Sequence, residues 1–311
     1  MGHNNINNYE REMEFEKFLA VSKCVRQNVK LADINWFRVG GKADYLYKAQ
    51  TEEDLIDLLT KLPQDYPLFT LGVGSNVIIK DGGFDGVVLR LGRGFAGITK
   101  ISEDTLRVGA SALDLSVANF AQMESIAGLE FLSGIPGTIG GAVKMNAGSY
   151  NSELQDILIE VTAYDRSGNK HVLSKDEMNY SYRKSDPKIK DLIFTEAVLK
   201  GKLGDANAIQ KQINEIQLKR ADTQPIRTKT GGSTFKNPEG HKAWELIDKA
   251  GMRGYKIGGA IMSDKHCNFM INDGTASATD LINLGELVRD KVKKSSGITL
   301  NWEIQIIGRD A

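Results

Sequence analysis

Two stretches of bare backbone limit what this chain can become: LGVGSN at residues 71–76 and SGIPGTIGGAV at residues 133–143. Glycine at that density cannot fill a core. The runs PLFT and VVLRL beside the first stretch have strand composition, so each stretch is expected to lie as a loop among β-structure. Neither is a standard nucleotide loop. A G-x-G-x-x-G fingerprint would need glycine where Val77 stands, and G-x-x-x-x-G-K-[ST] occurs nowhere in the sequence. Gly72, Gly74 and the amides of Ser75 and Asn76 suit a backbone nest for phosphate, although a plain glycine turn accounts for the loop taken alone. The second loop repeats the device with a rigid Pro136. Two such loops in one domain suggest a long diphosphate-bearing ligand gripped at several places.

The chain has 311 residues, room for two or three domains. Lys plus Arg equals Asp plus Glu at 40 each, which gives no electrostatic reason to expect nucleic acid or a membrane surface as partner. Cys24 and Cys267 form no CxxC and no metal-type grouping, which favours the reducing cytoplasm over a disulfide framework, with no metal expected. The opening MGHNNINNYEREMEFEKF is polar and acidic, unlike a secretory signal, and residues 1–18 are expected to be flexible. No apolar run approaches the roughly 20 residues that a membrane helix requires.

Thr51 with Asp54 makes a capping box ahead of Leu55, Leu58, Leu59 and Leu62, which predicts a helix ending before Pro63. ITKISEDTLRVGAS reads as a hairpin, LDLSVANFAQMESIAG as a helix closed by Gly128, and residues 128–150 as too glycine-rich for a regular element. A second hairpin turns at Ser167-Gly168-Asn169, and LIFTEAVLKG is a strand. Ile209, Ile213 and Ile216 then share one face of a long charged helix, where the composition changes and a domain boundary is expected. AWELIDKAG reads as a helix and NFMIN as a strand. Ser277, Asp280 and Gly297 bound a further helix. The closing TLNWEIQIIG alternates Leu300, Trp302, Ile304 and Ile306 with Asn301, Glu303 and Gln305, placing Glu303 on the polar face of a strand.

Several polar residues carry two readings. Ser233 in GGSTFKNP lacks the G-x-S-x-G elbow of a nucleophile, which leaves a proton or hydrogen-bond donor or a loop cap. Arg183 in NYSYRKSD suits a bidentate carboxylate, or belongs to a surface charge run. Glu303 and His266 read equally as ordinary polar residues.

Taken in order, WFRVGGKAD, LGVGSN, SGIPGTIGGAV, NAGSY, YSYR, GGSTFKNP and WEIQIIG resemble the UDP-N-acetylenolpyruvoylglucosamine reductases, also called UDP-N-acetylmuramate dehydrogenases. The resemblance runs from about residue 20 to the C-terminus. Because YSYR is followed closely by the strand LIFTEAVLKG, the chain resembles the compact subtype. This implies an α+β fold of the vanillyl-alcohol-oxidase type. FAD-binding subdomains are expected at 19–92 and 93–203, and a substrate domain at 204–311 whose last strand, 299–308, returns to the flavin site.

The resemblance further implies non-covalent FAD held by Gly72, Val73, Gly74, Ser75, Asn76, Gly134, Ile135, Pro136, Gly137 and Gly141. A β-branched side chain at Gly74 is then expected to fill the space that the diphosphate needs and to oppose a positive backbone angle. NADPH reduces the flavin and leaves, and the enolpyruvyl UDP-sugar binds in its place. Hydride addition to the terminal enolpyruvyl carbon leaves negative charge on the adjacent carbon and carboxylate, which calls for cationic or hydrogen-bonding stabilisation. Arg183 and Glu303 match the family's stabilising pair and Ser233 its proton donor. Tyr182, Lys236 and Asn237 match positions near the sugar nucleotide, and Arg220, Arg227 and His266 are candidates for diphosphate or uracil contacts. A monomer is expected. The competing expectation is another flavoenzyme of this fold acting on an alcohol or 2-hydroxy acid. Many of those tether flavin through His or Cys, and neither residue lies in the glycine loops.

Overall fold

The computed structural model describes residues 13–311. Of the expected flexible segment 1–18, residues 1–12 lie outside the described residues, and residues 13–18 correct the expectation by opening a helix that runs to residue 21. The physical reason is burial: Phe15 and Leu19, one helical turn apart, both join an apolar cluster with Tyr47 and Leu55.

The chain divides into two compact units. The first comprises the residues up to Gln27 with Tyr45–Gly72 and Gly86–Ile216; the second comprises Asn28–Asp44, Val73–Asp85 and Gln217–Ala311. Segments 28–44 and 73–85 group with the C-terminal residues because Phe37, Val39 and Ile78 are buried in the same core as Phe235, Leu284 and Leu300. Helix residues Ile209 and Ile213 pack into the core of the first unit, which runs to Ile216.

In the first unit, helix Glu52–Lys61 begins at the expected capping box, with the Asp54 amide donating to the Thr51 hydroxyl and the Thr51 amide to the Asp54 carboxylate. It buries Leu55, Leu58 and Leu59 against Val87 and Leu89 of strand Phe84–Leu91, which pairs in parallel with Leu68–Thr70. A five-stranded antiparallel sheet follows in the order Lys170–Ser174, Leu158–Tyr164, Ile193–Lys200, Thr105–Gly109, Ile98–Lys100. Both expected hairpins are in it. Helix Asp114–Met123 ends before Gly128, because Ser125 turns left-handed and Ile126–Ala127 pairs with Lys202–Leu203. The segment 128–150 is more regular than its glycine content suggests. It holds a 3-10 turn at Glu130–Gly134 and a helix at Ile139–Met145, held down by the Gly140 amide donating to the Ala110 carbonyl at 2.8 Å.

The second unit folds helices Ala243–Lys249 and Ala278–Ser296 over the antiparallel strands Lys256–Ile257, Ala260–Met262 and Met270–Asn272. The long helix has its expected capping box and ends at a left-handed Gly297. A second cap comes from Asp81, whose carboxylate accepts from the amides of Ala278 and Thr279 and from the Thr279 hydroxyl at 2.7–2.9 Å. Burial works to raise the Asp81 pKa, but the bonds from Thr279 and Ala278 outweigh it and hold the carboxyl below its ordinary value. A depressed carboxylate stabilises above its unfolded pKa and loses that contribution as pH falls through the folded value. Asp81→Ala is therefore expected to cost about 1 kcal/mol at neutral pH and less at strongly acid pH, read from denaturant midpoints at the two pH values.

The closing strand is shorter than expected. Gln305–Ile307 pairs in parallel with Val77–Ile79, and ahead of it Trp302 makes an isolated antiparallel bridge to Phe235. The alternation nevertheless holds: Leu300 and Ile304 are buried in the core, with Trp302 and Ile306 packed against it.

Candidate active site

Three expected site residues from remote parts of the sequence meet in the second unit. Ser233 stands in an isolated antiparallel bridge to Phe269, and the next residue, Thr234, accepts the Glu303 amide at 2.8 Å. On its other side, the Glu303 carbonyl accepts from the Asn76 side-chain amide at 3.1 Å, and the Asn76 carbonyl accepts from the Gln305 amide at 3.1 Å. The last turn of LGVGSN, the serine and the glutamate are thus threaded on one backbone network, with Ser233 and Glu303 both half-buried.

Asn268 sets the shape of the serine loop, a role for which the sequence offered no motif. Its buried side chain accepts from the Phe235 amide at 3.0 Å and donates to the Phe235 carbonyl at 2.9 Å, while the backbone carbonyl of Asn268 accepts from the Thr234 amide at 2.7 Å. Such a clamp fixes the backbone on the C-terminal side of Ser233 without touching its hydroxyl. His266 braces the clamp. Its Nδ1 accepts from the Asn268 amide at 3.3 Å, its ring stands edge-on to Phe269, and burial lowers its pKa, which favours the neutral imidazole. Lys236 is half-buried, its amide donating to the Asn301 carbonyl. The Asn237 side chain accepts from the Ala243 amide at 2.9 Å and so starts a helix. Arg220 lies in the last turn of helix Ala206–Thr223, donating to Gln224, and Arg227 is exposed in the turn that follows.

In the first unit, Tyr182 and Arg183 form the tip of a tight turn closed by paired backbone bonds between Ser181 and Lys184. Arg183 takes a left-handed backbone, φ 56°, which a non-glycine residue adopts only where its surroundings enforce it. Its guanidinium stands 5.1 Å from the Tyr182 ring and donates to the Gly148 carbonyl at 2.8 Å. Asn146, buried and also left-handed, anchors the turn by donating to the Ser181 carbonyl at 3.2 Å and to Glu153 at 2.9 Å. NAGSY is thus the seat of YSYR, a pairing that the sequence order alone did not give.

The glycine loops are also brought together there. A Cβ on Gly72 would lie 2.9 Å from the Thr138 hydroxyl oxygen, and a Cβ on Gly134 would lie 2.8 Å from the Ser149 hydroxyl oxygen. Ile135 spends its amide on the Leu132 carbonyl, and Pro136 has none to give. In contrast, the amides of Gly72, Gly137 and Thr138 meet no backbone carbonyl among the described residues, nor do those of Val73, Gly74 and Ser75 in the second unit. Backbone N–H groups left open in runs are what an anionic ligand such as a diphosphate requires. Gly141 is exposed, with only the Thr138 hydroxyl near the place of a Cβ. Gly74 has a different reason to be glycine: its φ is +70°, and a Cβ there would come 2.7 Å from the Asn35 Cα. The positive backbone angle expected at Gly74 is thus present, and a collision within the protein is a further obstacle to a side chain there.

A family model for the C-terminal domain of UDP-N-acetylenolpyruvoylglucosamine reductase matches residues 224–307, and one for an FAD binding domain matches residues 43–174. The chain is 52% identical over 278 residues to the UDP-N-acetylenolpyruvoylglucosamine reductase of Parvibaculum lavamentivorans, covering 89% of each chain. It is 50% identical over 284 residues to that of Rickettsia felis, covering 91% of this chain and 96% of the relative. The crystal structure of UDP-N-acetylenolpyruvylglucosamine reductase from Thermus caldophilus superposes with a TM-score of 0.78 at 34% identity, over 90% of this chain and 98% of that one.

Proposed function

Because the chain belongs to the UDP-N-acetylenolpyruvoylglucosamine reductase family, we propose a division of labour among its residues for that family's reaction. The protein is an FAD-dependent oxidoreductase with an α+β fold. With NADPH as hydride donor, it reduces the enolpyruvyl group of UDP-N-acetylglucosamine enolpyruvate to give UDP-N-acetylmuramate, a step of peptidoglycan precursor synthesis. Bound FAD supplies the hydride relay from NADPH to the terminal enolpyruvyl carbon. The chain's own residues must then hold the two nucleotides, bear the charge that develops and deliver a proton.

In this assignment the open amides of Gly72, Val73, Gly74, Ser75 and Gly137, with the rest of the loop at Gly134, Ile135, Pro136 and Gly141 and with Asn76, hold the FAD. Glu303 and Arg183 stabilise the charge on the substrate carbon and carboxylate, the guanidinium being suited to a carboxylate and pre-set by its turn. Ser233 delivers the proton to that carbon. Tyr182, Lys236, Arg220 and Arg227 are assigned to the UDP-sugar, with Asn237 and His266 acting there through the loops they brace. The observation that carries the assignment is the Glu303 backbone, bonded to Thr234 next to the serine and to Asn76 of the glycine loop.

The finer setting is a cytoplasmic monomer that binds no nucleic acid. The free thiols of Cys24 and Cys267 and the equal numbers of acidic and basic residues support it. Among the described residues, no helix is long and apolar enough to cross a membrane.

The purified protein is expected to be yellow and to release all its FAD on denaturation, since neither glycine loop contains a His or Cys to tether it. It is expected to consume NADPH beyond the single equivalent that reduces its flavin only when the enolpyruvyl UDP-sugar is supplied. A colourless protein that takes up no added FAD, or turnover with an alcohol or 2-hydroxy acid instead of the sugar nucleotide, overturns the assignment.

A further inference from the structure

One cation in the first unit is at odds with its surroundings. Arg90, near the end of strand Phe84–Leu91, is half-buried, yet its guanidinium has no hydrogen bond, ion pair or ring contact among the described residues. Burial lowers its pKa and no carboxylate offsets this, but a guanidinium keeps its charge at any working pH. A charge taken partly out of water without a counter-charge is costly, and an anion placed against it is favoured. The group is not sealed. The unpaired oxygens of Asp114, Tyr180 and Thr230 are closed off from solvent, whereas the unpaired nitrogens of Arg90 are open to it.

The sheet sets its direction. Val87 and Leu89 pack with helix Glu52–Lys61, so alternation turns Val88 and Arg90 to the opposite face. In the parallel pairing Thr70 stands opposite Leu89, which brings Leu71 beside Arg90, and the Leu71 amide still donates to the Leu89 carbonyl at 2.8 Å. The next amide, that of Gly72, is the first open one of the glycine loop. Two residues beyond Arg90, the Gly92 carbonyl accepts from the Ser111 hydroxyl at 2.8 Å. The carbonyls on either side of Ser111, those of Ala110 and Ala112, accept from the amides of Gly140 and Ile139. Short links thus tie Arg90 to both glycine loops.

We propose that Arg90 is a diphosphate contact of the cofactor: its guanidinium, one residue's breadth from the open amide of Gly72, pairs with phosphate oxygens of FAD and has no counter-charge until the dinucleotide arrives. The inference rests on the assignment of Gly72 and Gly137 to FAD. The amides supply hydrogen bonds but only partial charge, and Arg90 supplies the full positive charge that the loops lack. Removing it must then weaken the hold on FAD without destabilising the apoprotein.

The test uses apoprotein freed of flavin, with FAD as the probe, for the wild type, Arg90→Met and Arg90→Lys. Fluorescence quenching gives the FAD dissociation constant, and thermal melting without flavin gives the stability. Arg90→Met, which keeps an unbranched stem and loses the charge, is expected to melt at or above the wild-type temperature and to bind FAD about tenfold or more weakly. Arg90→Lys keeps the charge but not the planar fork, and its affinity is expected between the two. A second measurement needs no variant. Phenylglyoxal, which is selective for arginine, is expected to label Arg90 in the wild-type apoprotein and to be excluded by FAD, as mapped by mass spectrometry. Wild-type affinity in Arg90→Met, or equal labelling of Arg90 with and without FAD, overturns the proposal. So does a clearly lower apoprotein melting temperature in Arg90→Met, since the guanidinium would then have a partner within the chain. A wild-type apoprotein that takes up no FAD would instead sink the assignment of the loops.

Discussion

Ser233→Ala is expected to leave the reduction of the flavin by NADPH near its normal rate and to slow its reoxidation by the enolpyruvyl UDP-sugar by roughly a hundredfold or more, the scale of a lost general acid. The asymmetry follows from chemistry, since only the second half-reaction creates a carbon that must take up a proton. It also follows from the way the loop is held. The backbone on either side of Thr234 is fixed by Asn268 and by the Glu303 amide, and none of these bonds passes through the Ser233 hydroxyl. Deleting that oxygen should leave the site in place. A serine serving only as a loop cap predicts a loss of about 1 kcal/mol of stability and no preference between the half-reactions. Stopped-flow traces at the flavin absorbance band, one with NADPH and one with pre-reduced enzyme and substrate, separate the two. Equal slowing of both steps, or an unchanged second step, removes Ser233 from the mechanism.

The second large effect is structural. Gly74→Val should destabilise the apoprotein by roughly 3–5 kcal/mol, combining a left-handed backbone with an overpacked contact, and lower its melting temperature by on the order of ten degrees. The obstacle is Asn35, whose Cα would lie 2.7 Å from the new Cβ. Asn35 has little freedom to retreat. Its buried amide donates to the carbonyls of Leu31 and Val39, and its side-chain oxygen accepts from the Arg38 amide. FAD retention is expected to fall as a consequence of the lost fold, and Gly74→Ala should share most of the damage because the collision begins at Cβ. A variant that melts normally without flavin yet no longer retains FAD would return the space at Gly74 to the diphosphate.

What could be read from the sequence was local. Thr51 with Asp54 and Ser277 with Asp280 started helices where their spacing indicated, because a capping box is complete within four residues. Ile209, Ile213 and Ile216 are all buried, since one helical face is defined by period alone. Glycine density misled at 139–145, where bonds to Ala110 and Ala112 hold a helix that propensity would not. Asn146 and Asn268 carry no motif. Their importance lies in partners 30 or more residues away, which are not visible in a string of letters.

The parallel pair Val77–Ile79 with Gln305–Ile307 has a consequence for biosynthesis. Asn76 and Glu303, bonded to each other, are 227 positions apart, so the earlier partner leaves the ribosome long before the later one is made. A nascent chain can complete the sheets of its first unit while the strand at 77–79 still lacks its neighbour, and closing so long a loop is a late and entropically costly event. The turn at Asn76, assigned above to the cofactor, is therefore completed by a residue translated 227 positions later. A chain released before residue 305 would hold the sheets of its first unit and leave the strand at 77–79 without its partner.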